Sequence, residues 1–258
     1  IPLHNLQAIV TFGYTGASPA LMGACAQRDI ELSFMSGNGR FLARVSGEEK
    51  GNVTLRKTQY RISEKKEESV KIAKNFILGK VYNARWVLER AARDYSMRLD
   101  AELLKKKSAF LGQSMNKIRE CEDAGTLLGL EGEAASVYFS AFDELILQQK
   151  EDFYFHGRNK RPPLDNVNAM LSFGYSLLAG MCGGTLEAVG LDPYVGFFHT
   201  DRPGRMSLAL DLMEEFRSVM VDRFVLTLIN KRIMKPEYFL TKENGAVIMT
   251  EEGRKAFL

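Results

Sequence analysis

Two hydrophobic rhythms divide the chain. Over residues 1–46 apolar positions alternate or come in short runs, whereas from about residue 52 they recur every three to four positions and continue to do so. In the first stretch Leu6 to Phe12 (LQAIVTF) predicts a short strand. Ser18 is a good helix N-cap, Pro19 sits in the first turn where its missing N–H is tolerated, and Ala20 to Gln27 follow as a short helix. ELSFMSGNGRFLARV alternates on both sides of Gly37-Asn38-Gly39, residues that accept positive φ, and predicts a hairpin. So short a stretch cannot bury a core alone. It reads as the last part of a β-rich domain whose beginning is missing.

The helical rhythm then takes over. Val70 to Tyr95 carries Ile72, Phe76, Ile77, Val81, Ala84, Val87, Leu88 and Ala91 at helical spacing, and Asp100 to Cys121 continues with a basic cluster at Lys105, Lys106 and Lys107. Gly125 and Gly129 predict a break before a helix from about Glu131 to Gln149. Pro162-Pro163 marks a stop ahead of a long apolar helix from Asp165 to Val189. Gly190, Pro193 and Gly196 make a loop before a further helix from about Arg205 to Asn230. FLTKENGAVIMT, turning at Asn244-Gly245, predicts two late strands. The expected fold class is α+β: a truncated N-terminal β-rich domain over residues 1–50, then a mainly α-helical domain over 51–258.

Composition narrows the class. Hydrophobic content of 45% and charged content of 26% are those of a soluble globular protein. No apolar run is expected to cross a bilayer, and the first residues lack the pattern of a secretion signal. Cys25, Cys121 and Cys182 lie far apart without a CxxC pair, which argues against structural zinc and disulfides and suits a reducing cytoplasm. Charge is uneven: residues 51–120 hold 17 Lys/Arg against 8 Asp/Glu, a balance of +9, leaving −6 for the remainder. Such a division suits a protein that binds polyanions in one place and cations in another, or a salt-bridged helical surface.

Three stretches could carry chemistry. On a helix over residues 206–224, at about 100° per residue, Leu208, Leu212, Phe216 and Val219 share one face, and Asp211, Glu214, Ser218 and Asp222 the opposite one. Between Met206 and Asp222 the only base is Arg217, so the acids lack the interleaved cations of an ordinary solvated face. His199 stands in the loop GLDPYVGFFHTDRPGR leading into that helix, where imidazole beside oxygen ligands suits Mn²⁺ or Mg²⁺ phosphoryl chemistry. Glu131 lies in LLGLEGEAASVYFSAF; a carboxylate near a helix amino end is its structural reading, and Glu133 would serve that equally well. In FHGRNKRPPLDNVN, Arg158, Lys160 and Arg161 sit on a loop pinned by two prolines, a rigid presentation suited to phosphate.

Together these stretches resemble the CRISPR-associated spacer integrase, the large catalytic subunit of the adaptation complex. The matching strings are IPLHNL, FGYTGASPALMGACAQRDIELSFMSGNGRFLARV, LLGLEGEAA, GRNKRPPLDNVNAMLSFGYSLL and GLDPYVGFFHTDRPGRMSLALDLMEEFR, in the family's order. The first two are most similar to members from type I systems. The resemblance implies an N-terminal β domain, a C-terminal α-helical catalytic domain and a homodimer joined through the β domains. It implies one Mg²⁺ or Mn²⁺ held by Glu131 of the G-x-E-G string, His199 of the G-F-x-H string and Glu214, three residues after Asp211 of S-L-A-x-D-L, with Asp211 a supporting acid. The family's β domain begins before this chain's first strand and its helical domain usually continues past Leu258, so a fragment of a longer protein is implied.

The activity expected is phosphoryl transfer on double-stranded DNA. A captured prespacer would be inserted into a CRISPR leader-repeat, with Arg158, Arg161 and Arg205 holding flanking phosphates. A small ferredoxin-like adaptation partner and an auxiliary trimming nuclease belong to the same expectation. The alternatives are a branched-DNA or repair nuclease using the same metal, and a non-catalytic DNA-binding scaffold.

Overall fold

The computed structural model describes residues 2–37, 41–45, 47 and 52–258. Strand β1 (Ala8–Phe12) leads into helix α1 (Pro19–Gln27), where the Ser18 side chain accepts the Leu21 N–H at 3.2 Å as the sequence predicts. β2 (Glu31–Met35) pairs parallel to β1, and β3 (Phe41–Val45) pairs antiparallel to β2. The expected Asn38-Gly39 turn lies outside the described residues. Cys25, Ile30 and Leu32 form a small core of their own beneath α1. The sheet rests on the helical body through the Phe12–Phe173 ring contact and the Arg44–Glu187 ion pair.

α2 (Val53–Ser63), α3 (Lys66–Asp94) and α4 (Ala101–Glu120) follow. The expected apolar stripe of α3 is its buried face: Ile77, Val81, Ala84 and Leu88 meet Leu104, Leu111 and Ile118 of α4 in one continuous core. That core is close-packed, with Phe142, Phe153, Ile146 and Leu171 fully buried around it.

The predicted break at Gly125 and Gly129 is absent. α5 runs Ala124–Phe139, because Asp123 caps it through the Thr126 N–H at 2.9 Å and starts the helix seven residues early. Its end is also earlier than predicted. After Phe139 the chain folds over a cluster of Tyr138, Phe139, Phe142 and Phe155 rings. Glu131 therefore sits in mid-helix, which removes its reading as an amino-end carboxylate.

α6 (Asn166–Ala188) is capped by Asp165. Against the sequence expectation, it is long and apolar enough by composition to cross a bilayer, but most of it is buried inside the protein. α7 (Ser207–Phe216) passes through a π-helical turn at Arg217–Asp222 into α8 (Arg223–Asn230). β4 (Phe239–Thr241) and β5 (Val247–Met249) form the late antiparallel pair, and α9 (Glu251–Phe257) closes the described chain.

Candidate active site

The acidic face of α7 is turned inward. Asp211 is 0% exposed and Glu214 3%, with Ser218 and Asp222 buried beyond them. Carboxylates removed from water must be paired. Asp211 is satisfied by backbone: Oδ2 accepts the N–H of Phe197 at 2.7 Å and of Phe198 at 2.9 Å, and Oδ1 that of His199 at 2.9 Å. Those donors belong to a loop with no ladder of its own, so Asp211 gives it shape. Gly196 lets the loop come so close, since a Cβ there would lie 2.7 Å from Ser207 Cβ and 2.9 Å from Asp211 Oδ2.

Asp211 Oδ1 also meets His199 Nδ1 at 2.7 Å. A carboxylate at that nitrogen favours the tautomer protonated on Nδ1 and leaves the Nε2 lone pair free. Nε2 stands 4.0 Å from Glu214 Oε1. Arg217 pairs with the same oxygen at 3.0 Å, and Lys80 Nζ of α3 lies 2.7 Å from Glu214 Oε2. Burial alone would raise the Glu214 carboxyl, but the charges of Lys80 and Arg217 outweigh it and hold it below the ordinary value. Glu131, reaching from α5, pairs with the same Lys80 ammonium. Glu133 is turned to solvent.

Three elements thus bring Glu131 and His199 to the neighbourhood of Glu214, Glu131 through the shared Lys80 ammonium and His199 through Nε2 at 4.0 Å. Two carboxylates and an imidazole make a donor set that suits a hard divalent cation in phosphoryl chemistry. Lys80 already holds positive charge against both carboxylates there. As the side chains stand, no three His, Cys, Asp or Glu groups among the described residues converge to ligate an ion. The residues fit a cation, and an ammonium has its place.

Behind the carboxylates lies a second polar layer. The Tyr175 hydroxyl donates to Asp222 Oδ1 at 2.5 Å. Burial raises the Asp222 carboxyl to about 6, against the opposing pull of the Tyr175 and Tyr138 hydroxyls and of Arg217 and Arg158. Both arginines lie over the Tyr175 ring, Arg217 at 4.9 Å and Arg158 at 5.4 Å from its centroid. A cavity of about 30 Å³ between Lys80, Tyr138, Ser218 and Asp222 has room for a water molecule or two.

The proline-pinned loop approaches from the other side. The Arg158 guanidinium is held in place: its terminal nitrogens donate to Asn168 Oδ1 at 2.7 Å and Ser172 Oγ at 3.0 Å. Lys160 and Arg161 are exposed, and Arg205 is half-buried at the turn before α7. Partial burial lowers the Lys160 ammonium, and the neighbouring charges of Arg217, Arg158 and Arg161 lower it further. A cluster of cations therefore borders the acids.

The family model described as "CRISPR associated protein Cas1" matches residues 1–258. The chain belongs to the Cas1 family. It is 50% identical over 262 residues to CRISPR-associated endonuclease Cas1 2 of Rhodospirillum rubrum, covering 100% of this chain and 75% of that protein. Its fold is similar to a CAS1 protein from Thermotoga maritima, with TM-score 0.82, 26% identity and coverage of 100% of this chain and 78% of that one. It is equally similar to a casposase bound to integration product, with TM-score 0.82, 28% identity and coverage of 98% and 68%. The expected family and the α+β class agree with these matches.

Lys80 is not legible as a site residue among so many surface lysines. One signal exists: it falls three residues after Ile77 and four before Ala84, on the buried stripe of α3. Tyr175 gives no comparable sign within an apolar helix, and Arg217 stands out only as the lone base among the acids.

Proposed function

We propose that this chain performs metal-dependent phosphoryl transfer on DNA, inserting captured duplexes into a CRISPR array as new spacers. One observation carries the reading: Glu131 and Glu214, from two helices, share the Lys80 ammonium, and His199 Nε2 stands 4.0 Å from Glu214 on the loop before the second of them. The Cas1 endonuclease relative and the casposase with its integration product support the same chemistry.

In this reading Glu131, Glu214 and His199 hold Mn²⁺ or Mg²⁺, and Asp211 fixes the imidazole rather than contacting the ion. Such an ion polarises the scissile phosphate and offsets charge on its oxygens. The chain's own cations do the rest. Lys80, released from the carboxylates, remains beside them to pair with phosphate, and Lys160, Arg161 and Arg205 hold the flanking strand. Arg217 keeps Glu214 ionised, and Arg158 braces Tyr175 and the basic loop. A 3′-hydroxyl attacks the phosphodiester; its new P–O bond forms as the target's breaks, and its proton ends on the released 3′-hydroxyl. Bond count is unchanged, so no energy-rich co-substrate is needed.

The division into a β-rich part over 1–50 and a catalytic part over 51–258, and a homodimer joined through the former, belong to the same proposal. So do a small ferredoxin-like partner, an auxiliary trimming nuclease, a type I system and a cytoplasmic site, the last in keeping with free, buried Cys25, Cys121 and Cys182. The test is Mn²⁺-dependent joining of a short duplex to a repeat-containing plasmid by the full-length protein. Glu131→Ala, His199→Ala and Glu214→Ala are each expected to abolish joining. Retained joining in all three overturns the assignment, and cleavage without joining in the wild type favours a branched-DNA or repair nuclease.

A further inference from the structure

We infer that Gln59, on α2, is a positioning residue for the His199 imidazole, acting through the backbone of residues 192–195. This rests on His199 being a working side chain of the proposed reaction. Gln59 is the buried residue of α2, 3% exposed, and both ends of its amide are engaged. Nε2 donates to the carbonyls of Asp192 at 2.7 Å and Val195 at 2.9 Å. Oε1 accepts the Asp192 N–H at 2.9 Å. Next to it the Tyr60 hydroxyl donates to Asp192 Oδ2 at 2.9 Å.

The clamp sits where the path of the loop is decided. From Asp192 the chain must bring the N–H groups of Phe197, Phe198 and His199 onto the single Asp211 carboxylate. Between clamp and carboxylate, the Pro193 carbonyl accepts the N–H of Leu208 at 2.9 Å and of Ala209 at 3.3 Å, tying the loop to the first turn of α7. Gly196 has no room for a side chain on the way. Loop backbone without a ladder opens easily unless it is tied down. Asp211 ties one end and Gln59 the other, so His199 Nε2 faces Glu214 only while both hold.

The chemistry of the clamp is specific to an amide of this length. A carboxylate of the same length is a poor replacement: Gln59→Glu keeps the acceptor for the Asp192 N–H but sets negative charge against two carbonyl oxygens and beside Asp192 itself. Gln59→Leu keeps the shape and loses all three bonds.

Full-length protein labelled with ¹⁵N-histidine gives the test, read by long-range ring spectra at about pH 8, where an unperturbed imidazole is neutral. The exposed His4 and His156 are internal references. Wild-type His199 is expected as one Nδ1–H tautomer. In Gln59→Leu and Gln59→Glu its signals should move toward the averaged values of the references. Strand joining should lose about ten- to a hundredfold in kcat, with KM for DNA within about twofold and melting still cooperative. Unchanged His199 signals in a variant that melts cooperatively overturn the inference. Loss of cooperative melting in both variants also overturns it, because Gln59 would then govern the whole fold. The ring spectrum needs neither DNA nor metal. Shifted signals together with full joining by His199→Ala would leave the positioning intact and remove the proposed reaction instead.

Discussion

Asp222→Asn removes a buried carboxylate that folding makes harder to ionise. Asp222 is 1% exposed, and its carboxyl rises from 3.8 to about 6, burial being the largest cause. At ~1.4 kcal/mol per pH unit this corresponds to about 3 kcal/mol. The folded state binds the proton more tightly than the unfolded chain. The stability it contributes is therefore fully present below about pH 4 and is lost as pH rises through about 6. Glu214 is shifted the other way, held low by Lys80 and Arg217 against burial, and loses stability as pH falls. Because wild type and Asp222→Asn both retain Glu214, its contribution cancels in their difference. Urea denaturation of the two proteins between about pH 4 and pH 7.5 is the assay. The wild type should lose about 2.4 kcal/mol relative to the variant across that window, chiefly below pH 6.5. A difference that stays flat, or one that grows in the wild type's favour as pH rises, refutes the reasoning.

Other perturbations follow from the same contacts. Tyr175→Phe deletes the hydroxyl that donates to Asp222 at 2.5 Å, so the wild-type-like pH transition of stability should move upward, measured by the same urea series. Gly196→Ala would set a Cβ 2.7 Å from Ser207 Cβ and 3.0 Å from the His199 carbonyl, and should cost about 1–3 kcal/mol in urea melts. Lys80→Met removes the ammonium shared by Glu131 and Glu214, and should tighten Mn²⁺ binding about tenfold by calorimetry, as a competing cation is gone.

The elements that the sequence makes plain are those governed by local rules. Ser18 and Asp165 cap their helices, and Ile77 to Leu88 mark the buried stripe of α3, because capping and helical period act over a few residues. The start of α5 differs from expectation for a local reason as well: Gly125 and Gly129 suggest a break, while Asp123 two residues upstream supplies a cap. The acidic face of α7 can be seen as uncompensated, but not as buried, since its partners Lys80, Tyr138 and Tyr175 come from three other helices. The π-helical turn at Arg217–Asp222 has no signature in composition, and it carries Arg217, Ser218 and Asp222 into the site. In the same way Asp211 carries no sign in the sequence that its oxygens are taken up by the backbone of Phe197 to His199.

The central claim is that Glu131, His199 and Glu214 together hold a divalent ion. Calorimetric titration of Mn²⁺ into the full-length protein near neutral pH tests it directly. Wild type and Glu133→Gln should show the same single site, while Glu131→Gln, His199→Ala and Glu214→Gln each weaken it at least about tenfold, ~1.4 kcal/mol. Equal affinity in all five proteins, or no binding in the wild type, would contradict the account.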